Sequence, residues 1–220
     1  MSEAIAPEKE VTNVAVMNQL PSGAIRAESP LHHAELDKLA ARNPRGGGVI
    51  LRELKLLGHL TLRGSQDNAS FMAGCAEVLG VALPTKPLTS VDNGSVSVRW
   101  LSPDEWLAVV PMDQAFEIER SLRAAIEGHF QVVNGSGGQT IIELSGPNAV
   151  DVLKKSTILD LHPSQFPVGK VAGSVFAKAS ALVRRSGEDT WELVVRRSFA
   201  DYIWLWLQDA SREYGLVVKA

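Results

Sequence analysis

The order of predicted secondary structure elements occurs twice along the chain, and this repeat constrains the fold more than any other sequence feature. Gly64 and Gly146 each follow a predicted strand and precede a predicted helix, and they lie 82 positions apart. Trp106 and Trp191 each open a predicted buried strand and lie 85 positions apart. Two different markers with nearly the same spacing indicate two units built on one plan.

Hydrophobic periodicity gives each unit the order strand, helix, strand, strand, helix, strand. After an apolar run at 49–51, the first unit has a strand at 59–63, a helix that begins at Asp67 or Asn68 and ends at Gly80, strands at 96–101 and 106–110, a helix from Asp113 and a strand at 130–133. The second unit has a strand at 140–144, a helix at 148–155, one apolar run at 175–183, a strand at 191–195, a helix at 199–213 and a strand at 216–218.

This order is the split βαβ arrangement, in which helices cover one face of four antiparallel strands. We therefore predict an α+β fold of two tandem ferredoxin-like units, residues 49–134 and 139–220, after an extended N-terminal arm, residues 1–48. The alternative is a set of generic α+β elements whose repeat is accidental. The arm is either a disordered tail or a segment that orders on a partner, and its apolar residues favour the partner: Val14, Val16, Met17, Leu20 and Ile25.

Composition and charge exclude several classes of protein. The 220 residues include 22 Lys and Arg against 25 Asp and Glu, a net charge of −3, so no nucleic acid or anionic membrane partner is expected. Cys75 is the only cysteine, which excludes an intrachain disulfide and a multi-thiolate metal site. The N-terminus carries acids where a signal peptide needs a basic start, and no apolar run reaches about 18 residues. We expect a cytoplasmic protein.

No motif predicts a catalytic, cofactor-binding or metal-binding residue in this chain. The five histidines lack metal-ligand spacing, and the glycine runs at 46–48 and 135–138 match no phosphate-binding loop. Cys75 lies on the apolar stripe of its helix, which predicts a small hydrophobic residue and not a nucleophile. The basic doublets at 154–155, 184–185 and 196–197 are expected to be solvated edges, with anion binding as the alternative.

The last predicted helix has more apolar residues than one buried face needs. A stripe centred on Ile203 includes Phe199, Trp206, Leu207, Ala210 and Tyr214. At about 100° per residue, Trp204 and Leu205 then point away from the core, with Tyr202 on the other flank. We predict a subunit interface at Tyr202, Trp204 and Leu205. The alternative is that the chain's own N-terminal arm covers this face.

Three segments resemble a known family. They are 62–71 (LRGSQDNASF), 92–107 (DNGSVSVRWLSPDEWL) and 143–149 (ELSGPNA), of which the end of the second is the most specific. They look like the gamma subunit of heterotetrameric sarcosine oxidase, and the resemblance covers about residues 25–220. That family is itself similar to the folate-binding aminomethyltransferase fold, which agrees with the duplicated units.

The resemblance implies a noncatalytic assembly subunit. The implied complex oxidatively demethylates sarcosine with tetrahydrofolate and O₂, giving glycine, 5,10-methylenetetrahydrofolate and H₂O₂. FAD, FMN, NAD, tetrahydrofolate and zinc would be held by the partner alpha, beta and delta subunits, and none by this chain. Aminomethyltransferases usually carry a paired Asp-Asp where this chain has Val96-Ser97-Val98-Arg99. The alternative function is a free-standing folate-binding or one-carbon transfer protein.

Overall fold

A computed structural model describes residues 27–42 and 46–220 of the chain. The predictions that concern residues 1–26 and 43–45, including most of the N-terminal arm, lie outside the described residues. Within them the helices are α1 (Leu36–Ala40), α2 (Ala69–Leu79), α3 (Ala115–Ala125), α4 (Ala149–Lys154) and α5 (Ala200–Ser211). The strands are β1 (Val49–Leu54), β2 (Leu57–Gly64), β3 (Ser90–Asp92), β4 (Ser97–Ser102), β5 (Glu105–Pro111), β6 (Phe130–Asn134), β7 (Gln139–Ser145), β8 (Val171–Phe176), β9 (Ala179–Gly187), β10 (Thr190–Arg196) and β11 (Leu216–Lys219).

These strands form two sheets, so the prediction of an α+β fold is confirmed. The five-stranded sheet has the order β3-β4-β5-β2-β6, and the six-stranded sheet has the order β11-β1-β7-β10-β9-β8. β1 and β11 pair in parallel, whereas the other neighbouring strands run antiparallel. Ignoring β1 and the edge strands β3 and β8, each sheet carries its four strands in the order fourth, first, third, second.

β1 crosses the predicted division between the two units. It belongs by sequence to residues 49–134, yet it lies between β7 and β11 in the six-stranded sheet. Its alternating side chains explain this position, because Val49 and Leu51 are fully buried in the core of that sheet. The turn at Leu56, with a φ of 52°, then redirects the chain into the five-stranded sheet. The division at residues 134 and 139 stays a prediction.

The sequence pattern predicted one strand from the apolar run at 175–183, but the run spans parts of two strands. It contains the end of β8 and the first half of β9, which form a hairpin with Phe176 opposite Ala179. The chain turns at Ala177, which adopts the left-handed conformation with a φ of 52°. Alanine at such a position carries no turn signal, because glycine and asparagine are the residues that usually adopt it.

The predicted limits of α2 are confirmed. The side-chain oxygen of Asn68 accepts a hydrogen bond from the backbone N–H of Phe71 at 3.1 Å, which caps the helix start. Gly80 follows the helix with a φ of 68°, a left-handed conformation in which glycine is favoured. Local interactions of the chain therefore determine where α2 begins and where it ends.

Each sheet packs one face on helices and the other on the opposite sheet. Along β5, Trp106, Ala108 and Val110 point into the core shared with α2 and α3. Leu107 and Val109 point the other way and meet Ile141 and Val194 of the six-stranded sheet. The predicted strands that begin at Trp106 and Trp191 are both buried. The Trp106 ring contacts Phe71 at a centroid distance of 5.7 Å, and the Trp191 ring contacts Phe166 at 5.3 Å. The sheets thus form the central layers, with helices outside.

Candidate functional site

The core face of α5 is rotated from the position that the sequence predicted. Its buried residues are Ala200, Ile203, Trp204, Leu207 and Ser211. The prediction that Trp204 is exposed is wrong, since its side chain is only 2% exposed. At about 100° per residue these five residues span an arc that begins at Ile203 and ends at Trp204. The predicted stripe took Ile203 as the centre of the arc, whereas it lies at one edge.

The exposed face of α5 carries two large apolar side chains. Leu205 is 56% exposed, as expected, and Trp206 is 39% exposed although the sequence placed it in the core. The Trp206 indole N–H donates to the Ser156 hydroxyl at 2.7 Å, and its ring lies 6.1 Å from the half-buried ring of Tyr202. Tyr202, Leu205 and Trp206 therefore form one surface, which we call the α5 face.

Sequence reasoning missed Trp206, although one signal for it exists. Ala200 and Ser211 are small residues that tolerate burial, and both lie on the Trp204 side of the helix. A stripe that includes them requires Trp206 to face outward. The predicted stripe centred on Ile203 would bury Phe199, but Phe199 is 40% exposed in the structure.

A buried ionic cluster joins the two sheets. Arg99 of β4 donates from Nη2 to the Glu192 carboxylate of β10, and both side chains are almost completely buried. Arg184 of β9 contacts the same carboxylate at 3.3 Å and also pairs with Asp92 of β3. Its Nε–H donates to the Ser90 hydroxyl at 2.9 Å. Two arginines and two carboxylates thus neutralise one another between the two sheets.

Burial dominates the electrostatics of Arg99. The pKa of its guanidinium is lowered to about 10, chiefly by desolvation and also by the nearby Arg184, while Glu192 and Asp92 oppose the shift. The group therefore stays charged at neutral pH, which requires its carboxylate partner to remain in place. The cluster holds strands β3 and β4 against β9 and β10.

His59 and Arg99 lie on the same face of the five-stranded sheet, the face that packs against the six-stranded sheet. Burial lowers the pKa of its imidazole to about 4, and the positive charge of Arg99 adds to the shift. Neither ring nitrogen has a hydrogen-bond partner among the described residues. The ring is therefore neutral at physiological pH, and no side chain is positioned to orient it as a general base.

Other reactive side chains show no catalytic arrangement. Burial raises the pKa of the Cys75 thiol to about 12, so the side chain packs as a small apolar group. Among residues 27–42 and 46–220, no three His, Cys, Asp or Glu side chains are grouped as metal ligands. In the same ranges, no helix has the length and apolar character that a membrane span requires.

Comparisons with known proteins identify the family. The model of the Sarcosine oxidase, gamma subunit family matches residues 63–213. The chain belongs to this family. Sarcosine oxidase subunit gamma of Corynebacterium sp. (strain P-1) is 36% identical over 85% of this chain and 91% of its own length. The corresponding subunit from an Arthrobacter species is 34% identical over 90% of this chain and 96% of its own length.

Solved structures agree with this membership. A chain of the heterotetrameric sarcosine oxidase from Corynebacterium sp. U-96 superposes with a TM-score of 0.77 and 32% identity, covering 85% of this chain and 95% of that one. The glycine cleavage system aminomethyltransferase T from Bartonella henselae superposes with a TM-score of 0.62 and 16% identity, covering 86% of this chain and 58% of that one. The gamma subunit family thus shares a fold with aminomethyltransferases.

Proposed function

We propose that this chain is an assembly subunit of a heterotetrameric sarcosine oxidase and supplies no catalytic residue. The observation that carries the proposal is the match to gamma subunits along 91% and 96% of their own length. The buried ionic cluster supports it, because its charges are satisfied by one another and hold two sheets together. Two further buried groups, His59 and Cys75, have pKa values unsuited to proton transfer or nucleophilic attack at neutral pH.

Family membership supports a proposal for the partners and cofactors. We expect alpha, beta and delta subunits as partners, with FAD, FMN, NAD, tetrahydrofolate and zinc bound by those chains and not by this one. The complex would act in the cytoplasm, where it would convert sarcosine to glycine. The predicted duplication also belongs to this proposal: the shared strand order in the two sheets favours two split βαβ units, with β1 inserted into the second.

We expect the α5 face to contact a partner subunit. Leu205 and Trp206 place a large apolar surface on a helix whose opposite side already fills the core. Tryptophan and tyrosine contribute disproportionately to binding energy at protein interfaces.

Expression of the tagged chain together with its host's sarcosine oxidase chains tests this proposal. The wild-type chain is expected to co-purify with flavin-containing subunits in equal stoichiometry. Leu205→Glu is expected to reduce its recovery in the complex at least tenfold, because it puts a charge into an apolar contact. Glu77→Lys, a charge change at an exposed position of α2 and away from the α5 face, serves as the control. A wild-type chain recovered without flavin-containing partners contradicts the proposal.

The alternative, a free-standing folate-binding or one-carbon transfer protein, has its own test. An aminomethyltransferase from Exiguobacterium sibiricum is 32% identical over 56% of this chain but only 36% of its own length. Titration of the purified chain with tetrahydrofolate, followed by tryptophan fluorescence or calorimetry, is expected to show no micromolar binding. Saturable binding at micromolar concentration would favour the alternative.

A further inference from the structure

The inter-sheet face of the six-stranded sheet is organised in rows that cross β7, β10, β9 and β8. One row is ionic and contains Glu143, Glu192 and Arg184. The next is apolar and contains Ile141, Val194, Leu182 and Gly173. A third contains Gln139 and Arg196, with Ser180 opposite Val175 farther along it. Ile141 and Val194 of the apolar row are buried against Leu107 and Val109 of the five-stranded sheet, whereas Gly173 and Val175 on β8 are exposed.

The uncovered part of these rows forms a groove with an apolar floor. Leu182 and Val194 form the floor, and Leu101 and Leu107 of the five-stranded sheet form one wall. The groove has a volume of about 510 Å³. Val175, on the edge strand β8, is 53% exposed beside it. The apolar contact between the two sheets therefore continues into an open surface.

Gly173 lines this groove, and the described residues leave open space above its Cα atom. A Cβ atom added at Gly173 would meet no atom within 4 Å, and the residue does not have a positive φ. Neither backbone conformation nor packing within the described residues therefore requires glycine. Glycine weakens a strand and often marks a place where a ligand or another backbone comes near. At Gly173 that approach would come from outside the described residues.

Arg196 gives the rim of the groove a positive charge. It is exposed, and none of the described residues forms an ion pair with it or with its neighbour Arg197. The basic doublet is thus split, since Arg196 lines the groove and Arg197 does not. Arginine is enriched at interface hot spots, where it pairs with carboxylates. The positive charge of Arg196 would therefore complement an acidic residue of the segment that binds in the groove.

We infer that this groove binds an extended segment of a partner subunit, with an apolar side chain over Leu182 and Val194 and a carboxylate facing Arg196. The groove lies on the inter-sheet face, and the α5 face lies on the helical side of the same sheet, so the two are separate contacts. The inference rests on the proposed function, because its occupant is another chain of the sarcosine oxidase complex. The apolar floor of the groove calls for an apolar side chain on the occupant, and the positive charge of Arg196 at the rim calls for an acidic one.

Two pairs of variants in the co-expressed complex test the inference. Gly173→Leu puts a side chain into the groove where a Cβ atom would meet no other atom within 4 Å, and it is expected to reduce recovery in the complex at least tenfold. Gly137→Leu, also at a glycine with open space around it, is its control. Arg196→Glu is expected to weaken assembly at least tenfold, and Arg197→Glu less than threefold. Melting temperatures of the isolated variants within about 3 °C of the wild type show that the fold is intact.

The possible outcomes separate the inference from the proposed function. Wild-type recovery of both Gly173→Leu and Arg196→Glu in the complex overturns the groove as a docking site and leaves the assembly role standing. Failure of the unmodified chain to co-purify overturns both.

A photo-crosslinking amino acid at Ser180 then identifies the occupant. A crosslink to a partner peptide with an acidic residue near an apolar one supports the inference. A crosslink to residues 1–26 of this chain or to a second copy contradicts it.

Discussion

Replacing Trp204 and Trp206 separately tests how α5 is oriented. Trp204 is 2% exposed and lies in the main core of the six-stranded sheet. Truncation of such a tryptophan to alanine typically costs about 3 to 5 kcal/mol, because apolar burial is lost and a cavity remains. Since domains of this kind are stable by roughly 5 to 15 kcal/mol, Trp204→Ala should remove about a fifth or more of the free energy of unfolding.

Trp206→Ala should cost much less. The ring is 39% exposed, and it loses one hydrogen bond to Ser156 and a contact with Tyr202. These losses amount to about 1 to 2 kcal/mol. The two variants should therefore differ by about 1 to 4 kcal/mol in unfolding free energy.

Urea unfolding of the isolated full chain, followed by far-ultraviolet circular dichroism, measures this difference without relying on tryptophan emission. A two-state transition with equal slopes for both variants is the condition for comparing them. The recovery of each variant in the co-expressed complex gives the second readout: Trp206→Ala should fold well but assemble poorly. If Trp206→Ala destabilises the isolated chain as much as Trp204→Ala, the assignment of the two rings to core and surface is refuted.

Three further predictions concern the buried groups. Glu192→Gln should destabilise the chain by about 3 to 5 kcal/mol, because it leaves the buried Arg99 without its carboxylate; an unchanged urea midpoint would show that the cluster is unimportant for stability. Because the pKa of His59 is lowered to about 4 in the folded chain, the unfolded chain takes up a proton first as pH falls below about 6.5, and about 2 kcal/mol of stability should be lost between pH 7 and pH 5. His59→Leu, which removes two unpartnered ring nitrogens, should flatten this pH dependence in urea unfolding, and an equally steep profile in that variant would assign the effect to other groups. The Cys75 thiol, buried and with a pKa raised to about 12, should react with Ellman's reagent only in denaturant, so rapid labelling of the native chain at pH 8 would contradict its burial.

Sequence patterns succeeded where local chemistry decides the structure. Asn68 and Gly80 limit α2 through a side-chain cap and a left-handed glycine, and both signals are readable from the chain itself. Trp106 and Trp191 mark buried strands because each lies in an apolar run flanked by turn residues. The gamma-subunit resemblance rested on the stretch that includes Trp106, and the family comparison confirmed it.

The patterns failed where two local solutions were equally good. α5 has apolar residues on more than half of its circumference, so its core direction depends on what it packs against. The run at 175–183 is mostly apolar, and only pairing between Phe176 and Ala179 reveals a hairpin. Among the basic doublets, Arg184 and Arg185 are buried, whereas Arg196 and Arg197 are exposed as expected.

The sequence by itself determined the α+β class, the ends of α2 and the family, because these depend on periodicity, caps and motifs within short stretches. The tertiary structure alone decided that β1 joins the second sheet, that Trp204 is core and Trp206 surface, and that Arg99 meets Glu192 over 93 positions of sequence. Such long-range contacts form when distant segments exclude water together, and their free energy appears only once both partners are in place. The groove beside Gly173 has the same origin, since two sheets are needed to form its floor and its wall.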